Sequence, residues 1–182
     1  MVADAAIAEP RTESRNDRFC ELFEQYQPAL RRLVAAYVTN SADREDLLQE
    51  IAAGIWKSLP GFRGESSERT WIYRIAHNIA IRRSSQVRAR SSREPAIEEK
   101  FDLAAGDSSA EDALLLDEKR RALVDAIRAL PLAERQIVTL HLEGLSAAEI
   151  EEVTGFTAGA VATRLTRIRQ KLIERVQGGH RP

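Results

Sequence analysis

A chain of 182 residues can hold two small domains, and at 43% apolar residues it can build a core in each. The single cysteine, Cys20, excludes an internal disulfide framework, and three histidines argue against a Cys/His zinc site. The formal net charge of −1 gives no sign of a polyanion partner, but the charge is unevenly placed. Residues 16–90 carry twelve basic and nine acidic groups, residues 91–118 two and nine, and residues 119–182 eleven and seven. Two mildly basic blocks therefore flank an acidic connector.

The N-terminal MVADAAIAEPRTESRND lacks the charged start and apolar centre of a secretory signal. No run approaches the roughly 18 apolar residues of a membrane span. These features lead us to expect a soluble cytoplasmic protein, with residues 1–16 a disordered tail. Phe19, Leu22, Phe23, Tyr26, Leu30, Leu33, Val34 and Tyr37 then recur at helical spacing, with Pro28 expected to kink or break the helix. Cys20, on that helix, reads as a core residue. Asn40 or Ser41 can cap a second helix with an apolar stripe of Leu47, Leu48, Ile51, Ile55 and Leu59. Pro60-Gly61 ends it, and the loop Phe62-Arg63-Gly64-Glu65-Ser66 follows.

Ser66 or Ser67 caps a third helix carrying Trp71, Ile72, Ile75, Ala76 and Ile79 on one face, with Trp71 read as core. It runs into a stretch with Arg82, Arg83, Arg88 and Arg90, cations able to follow phosphates. Periodicity fails to about Ser109, where Pro95, Gly106 and an acidic excess mark a flexible linker. It resumes with Leu116, Leu123, Ile127 and Leu130. Pro131 suits the first turn of the next helix and Gly144 its end.

The most specific local signal follows. Ser146 and Glu149 form an S-x-x-E capping box, Ile150 and Val153 give a short helix a buried face, Gly155 suits a left-handed turn, and Thr157 can cap the next helix. Together they make a helix-turn-helix. On a wheel of about 100° per residue, Val161, Leu165, Ile168 and Leu172 share an inward arc. Gly159, Thr163, Thr166 and Gln170 lie opposite, with Arg167 beside them and Arg164, Arg169 and Lys171 on the flanks. Small and hydrogen-bonding groups thus face base edges, with cations placed for phosphates. The plain alternative is a basic amphipathic helix packed on a bundle; box, turn glycine and wheel together favour DNA binding.

Two separated segments resemble one family. Asp46-Leu47-Leu48-Gln49-Glu50, Phe62-Arg63-Gly64-Glu65-Ser66 and Thr70-Trp71-Ile72-Tyr73-Arg74-Ile75-Ala76-His77-Asn78 resemble region 2 of the extracytoplasmic-function sigma factors of bacterial RNA polymerase. Leu130-Pro131, Glu134-Arg135, Leu145-Ser146, Glu149-Ile150 and Gly159-Ala160-Val161-Ala162-Thr163-Arg164-Leu165 resemble their region 4. The resemblance covers about residues 19–90 and 114–176. It implies an all-α chain of two small helical domains: region 2 over 17–92, an acidic linker over 93–113, region 4 over 114–177 and a short tail over 178–182.

By that resemblance Asp46, Gln49 and Glu50 dock on the coiled coil of the largest polymerase subunit, with region 4 meeting the flap. Phe62, Arg63, Arg74, Asn78 and Arg82 hold the −10 element as a single strand, Phe62 and Asn78 lining or approaching a pocket for an extruded base. Gly159, Thr163, Arg164, Thr166 and Arg167 read the −35 duplex. The expected partners are core polymerase, promoter DNA and an anti-sigma factor, with no metal, cofactor or catalytic residue. Free, the chain should be a monomer. It departs from the family at Glu151, which is usually alanine, at Ala162, often a cation, and at Gly54, often larger.

Two other readings compete with this one. A self-sufficient helix-turn-helix repressor or activator requires dimer symmetry and palindromic operators. An enzyme requires partners that His77, His141 and His180 do not have at triad or ligand spacing, and no glycine-rich phosphate loop is present.

Overall fold

The computed structural model describes residues 10–91 and 110–178, and among them the chain is helical without a strand. The N-terminal unit packs α1 (Pro10–Tyr37), α2 (Ser41–Ser58), a 3-10 turn (Leu59–Gly61) and α3 (Glu68–Ser91) around one core. Leu22, Leu30, Leu33 and Val34 of α1 meet Leu47, Leu48, Ile51 and Ile55 of α2 and Ile72, Ala76, Ile79 and Ala80 of α3, all buried. Asn40 caps α2, its side-chain oxygen accepting from the Asp43 N–H at 3.1 Å. Ser67 caps α3 in the same way through Thr70.

α2 and α3 approach closely because residue 54 has no side chain. A Cβ there would lie 2.6 Å from Ile79 Cδ1 and 3.2 Å from Ile75 Cγ2. The departure at Gly54 is therefore a packing requirement of this pair of helices.

The C-terminal unit comprises α4 (Ala110–Arg128), α5 (Leu132–Leu142), α6 (Ala147–Thr154) and α7 (Ala158–Gly178). Pro131 stands at the N-cap of α5, one residue before the first turn. Gly144, at φ +80°, closes α5: its N–H donates to His141 O at 2.9 Å, and the Leu145 N–H donates to Leu140 O at 3.1 Å. This is the Schellman arrangement, with Leu145 buried beneath it.

Four expectations change. α1 begins at Pro10, so residues 10–16 of the expected tail are helical, and Arg15 and Asn16 anchor them. The Arg15 guanidinium lies 3.6 Å from the Trp56 ring centroid and donates to Trp56 O at 2.7 Å, and Trp56 Nε1 donates to Asn16. α1 also runs through Pro28 without a break. Its buried stripe continues on both sides, and that packing outweighs the roughly 3 kcal/mol cost of an internal proline. Cys20 is exposed, because it falls off the stripe defined by Leu22 and Leu30.

The fourth change concerns the relation between the units. α4 starts at Ala110, inside the expected linker; the part of that linker between 92 and 109, and residues 179–182 of the expected tail, lie outside the described residues. The two units pack on each other, α6 and α5 on α3 and α4 and α5 on α1, with buried apolar residues forming one cluster from Leu22 to Ile168. Polar contacts close the junction. The Glu143 carboxylate, its side chain 8% exposed, accepts from Arg32 Nε at 2.8 Å and Arg32 Nη2 at 2.7 Å, and from Tyr73 Oη at 3.2 Å. Arg69 donates to the Glu143 carbonyl. Arg128 donates to Ala35 O at 2.8 Å and Val38 O at 3.3 Å, satisfying carbonyls at the end of α1.

Candidate nucleic-acid interface

Three surfaces gather the candidate residues, and the first is on α2. Leu47, Leu48, Ile51 and Ile55 face the core, so the opposite side of the helix carries Asp46, Gln49 and Glu50 to solvent. Asp43 belongs to the same acidic stripe. Arg83 of α3 reaches across to it: Nη1 lies 2.9 Å from Glu50, and Nη2 lies 3.3 Å from Asp43 and 3.8 Å from Asp46. Arg83 is therefore committed to carboxylates rather than standing ready for phosphate.

The second surface is a cleft between the 62–66 loop and α3. The Phe62 N–H donates to Leu59 O at 3.2 Å, and Gly64 turns the chain at φ +73°. Phe62 and Trp71 form an aromatic wall, ring centroids 4.9 Å apart and planes tilted by 42°. With Gly61, Arg63, Glu65, Ser66 and Arg74 they line a cavity of about 420 Å³. Trp71 is thus only partly core: it packs on the core from outside and presents its ring to the cleft. The sequence reading missed this because Trp71 sits at the edge of the apolar arc, where periodicity cannot decide.

Arg74, Asn78 and Arg82 continue from Trp71 at spacings of three and four, so they follow one face of α3. Asn78 and Arg82 are exposed. Asn78 stands outside the cavity, about 10 Å along the helix from Trp71. Arg74 lies 3.9 Å from Glu152 of α6, across the junction.

Between Asn78 and the core sits His77, fully buried, with Nδ1 3.0 Å from Tyr37 Oη and Nε2 unpaired. Burial pushes its pKa down to about 3, so the ring is neutral. Burial also raises the phenols of Tyr37 and Tyr73, for Tyr73 with Glu143's charge adding to it.

The third surface is α7. Ser146 and Glu149 complete the capping box: the Ser146 N–H donates to Glu149 Oε2 at 2.8 Å and the Glu149 N–H to Ser146 Oγ at 3.3 Å. The Ser146 backbone N–H is the main reason the Glu149 carboxyl titrates below its ordinary value. Gly155 ends α6 at φ +76°. α7 then starts with two caps: Thr157 Oγ1 accepts from the Ala160 N–H at 3.3 Å, and Glu151 Oε2 from the Ala158 N–H at 2.8 Å. The Glu151 departure is therefore a second cap for this helix.

Val161 and Ile168 are buried, with Leu165 and Leu172 packed beside them, while Gly159, Thr163, Thr166, Arg167 and Gln170 are exposed. The two threonine hydroxyls donate to carbonyls one turn back, at 3.0 and 3.3 Å, and keep their acceptor lone pairs outward. Arg164 differs from the others. Its guanidinium stacks 4.3 Å from the Phe156 ring centroid, with Nη1 buried and unpaired, so it braces the turn. Lys171 pairs with Glu134 of α5 at 2.6 Å. Among the described residues no helix is long and apolar enough to cross a membrane.

Two known families match successive parts of the chain. Residues 22–91 match the Sigma-70 region 2 family and residues 120–172 the Sigma-70 region 4 family. The chain is 30% identical to the ECF RNA polymerase sigma-E factor of Haemophilus influenzae over 97% of both chains. The chain belongs to the ECF sigma factors. The sigma-E factor of Escherichia coli is 32% identical, over 97% of this chain and 96% of its own.

In solved structures this sigma factor resembles CnrH, determined in complex with the cytosolic domain of CnrY (TM-score 0.66, 20% identity, 90% of both chains). It also resembles the sigma factor RpoE of Bartonella quintana, determined with the anti-sigma factor NepR (TM-score 0.67, 20% identity, 90% of this chain and 99% of that one). α1 to α3 thus form region 2, and α4 to α7 form region 4 with its helix-turn-helix at α6 and α7. As a sigma factor the protein directs RNA polymerase to promoters.

Proposed function

We propose that this sigma factor divides promoter recognition among the three surfaces. The α2 stripe of Asp46, Gln49 and Glu50 docks on the coiled coil of the largest polymerase subunit, and region 4 meets the flap. The cleft between the 62–66 loop and α3, walled by Phe62 and Trp71, takes a base extruded from the −10 strand, with Arg63, Arg74, Asn78 and Arg82 holding the strand beside it. The α7 face of Gly159, Thr163, Thr166 and Arg167 enters the −35 major groove, and Arg164 supports it from the flank. The protein catalyses no reaction of its own, acts in the cytoplasm, is monomeric when free, and is held inactive by an anti-sigma factor.

One observation carries this reading: two aromatic rings 4.9 Å apart and two arginines line one cavity of about 420 Å³. A flipped base needs an apolar wall for its face and cations for its phosphates. The mild overall charge supports it too, since a chain this close to neutral is not held on random DNA.

The test uses run-off transcription with purified core polymerase. Phe62→Ala should leave closed-complex formation intact while permanganate reactivity of the melted strand and the transcript fall together. Arg167→Ala should weaken −35 duplex binding by roughly 1–3 kcal/mol if it reads a base. Normal transcription by Phe62→Ala would remove the base-pocket role.

A further inference from the structure

The acidic stripe on α2 is under its own electrostatic strain. Asp43, Asp46 and Glu50 follow one another at spacings of three and four, where like charges on a helix repel. A solvated stripe of this kind would scatter its side chains over many rotamers. Here one guanidinium from a different helix holds Glu50 and Asp43 and comes within 3.8 Å of Asp46.

The exposures decide what that arginine does. The Arg83 side chain is 20% exposed, whereas Asp43, Glu50 and Asp46 are 44%, 41% and 63% exposed. The arginine side chain is therefore more covered than the carboxylates it pairs with, and it reaches them from the α3 side. Each Arg83 contact engages one oxygen of a carboxylate. A partner arriving from solvent meets a stripe that still carries two net negative charges. Arg83 also follows Arg82 by one position, about 100° around α3, so it is turned away from the Arg74–Asn78–Arg82 face.

We infer that Arg83 is a positioning residue for polymerase docking, fixing Glu50 and Asp43, with Asp46 in range, in the rotamers that a cationic partner helix engages. This rests on the reading that Asp46, Gln49 and Glu50 form the docking face. Rotamers ordered before encounter lower the entropy lost on binding, and that gain is felt chiefly in the dissociation rate. An arginine acting as a competitor for the same carboxylates would lie over them and would have to leave first, so its removal would tighten binding.

The experiment measures association and dissociation of the full chain with purified core RNA polymerase by stopped-flow fluorescence. Arg83→Gln should raise the dissociation rate about three- to tenfold. The association rate at low salt should stay level or rise, because the stripe becomes more negative. A loss of folded protein lowers the signal amplitude and leaves dissociation unchanged, so the rate separates positioning from stability. Arg83→Lys keeps the charge and the packed stem but cannot fork between Glu50 and Asp43, and should give an intermediate rate. In a Glu50→Gln background the Arg83→Gln effect should shrink but not vanish, since the Glu50 contact is lost while the Asp43 contact remains.

Tighter or unchanged binding by Arg83→Gln, or an undiminished effect in the Glu50→Gln background, overturns the inference. Should Arg83→Gln fail to fold, a wild-type dissociation rate for Arg83→Lys overturns it. An Asp46→Lys/Glu50→Lys variant keeps the two levels apart. If it binds core normally, the docking face itself is misassigned; if it loses binding while Arg83→Gln is neutral, only the role of Arg83 falls.

Discussion

Glu143 accepts from two side chains of region 2 and so ties region 4 to it, and its removal should open the protein. Glu143→Ala deletes both Arg32 bonds and the acceptor for Tyr73 Oη. The Arg32 side chain is 58% exposed and can be resolvated, so its share is about 1 kcal/mol after screening. Tyr73 is buried, and orphaning its hydroxyl costs about 1–3 kcal/mol. The Arg69 bond to the Glu143 carbonyl survives the substitution. The sum, about 2–4 kcal/mol, shifts the balance between closed and open forms by roughly 30- to 1,000-fold. Because Cys20 is exposed and is the chain's single cysteine, one spin label can go there without prior engineering, and a second on Arg169→Cys of α7. Double electron–electron resonance should give one narrow distance for the parent and a broad, longer distribution for Glu143→Ala, with Glu143→Gln between them. A narrow, unmoved distance in Glu143→Ala would refute the claim that this side chain holds the junction.

Other consequences are as direct. His77 is neutral when folded and titrates near 3, whereas the unfolded chain takes up its proton near 6.5, so stability is full above pH 6.5 and declines as pH falls toward 3. The loss is about 1.4 kcal/mol per pH unit, and urea titrations at pH 7 and 5.5 should show that much less acid sensitivity in His77→Gln. Glu151→Ala removes a cap worth about 0.5–2 kcal/mol, visible as a lower unfolding midpoint. The same change frees the α7 N-terminus for a phosphate, and anisotropy titration of a −35 duplex should show tighter binding. Gly54→Leu should destabilise region 2 by about 1–3 kcal/mol in thermal melts, because its side chain would run into Ile75 and Ile79.

Local grammar was legible in the sequence where a side chain acts on its own backbone. Asn40, Ser67, the Ser146–Glu149 box, Gly144 and Gly155 all stop or start helices at the positions where their chemistry requires it. The inward arc of α7 was legible for the same reason, as periodicity fixes a face. What depends on partners distant in sequence was not. Nothing local marks Glu143 as the acceptor for Arg32, Tyr73 and Arg69, more than 65 positions away. Arg83 and Arg164 looked like phosphate ligands because charge reads the same whether its partner is DNA, a carboxylate or a ring. Pro28 misled because its local cost is real but smaller than the burial around it.

The absent side chain at residue 54 has a consequence for promoter architecture. α2 carries the proposed polymerase anchor and α3 the proposed base pocket, and they meet at van der Waals distance where Gly54 lies on Ile75 and Ile79. This close packing holds the two helices in one register, so the offset from anchor to pocket is built into region 2 itself. In the proposed docking, the base pocket would then lie at one set distance from the polymerase anchor.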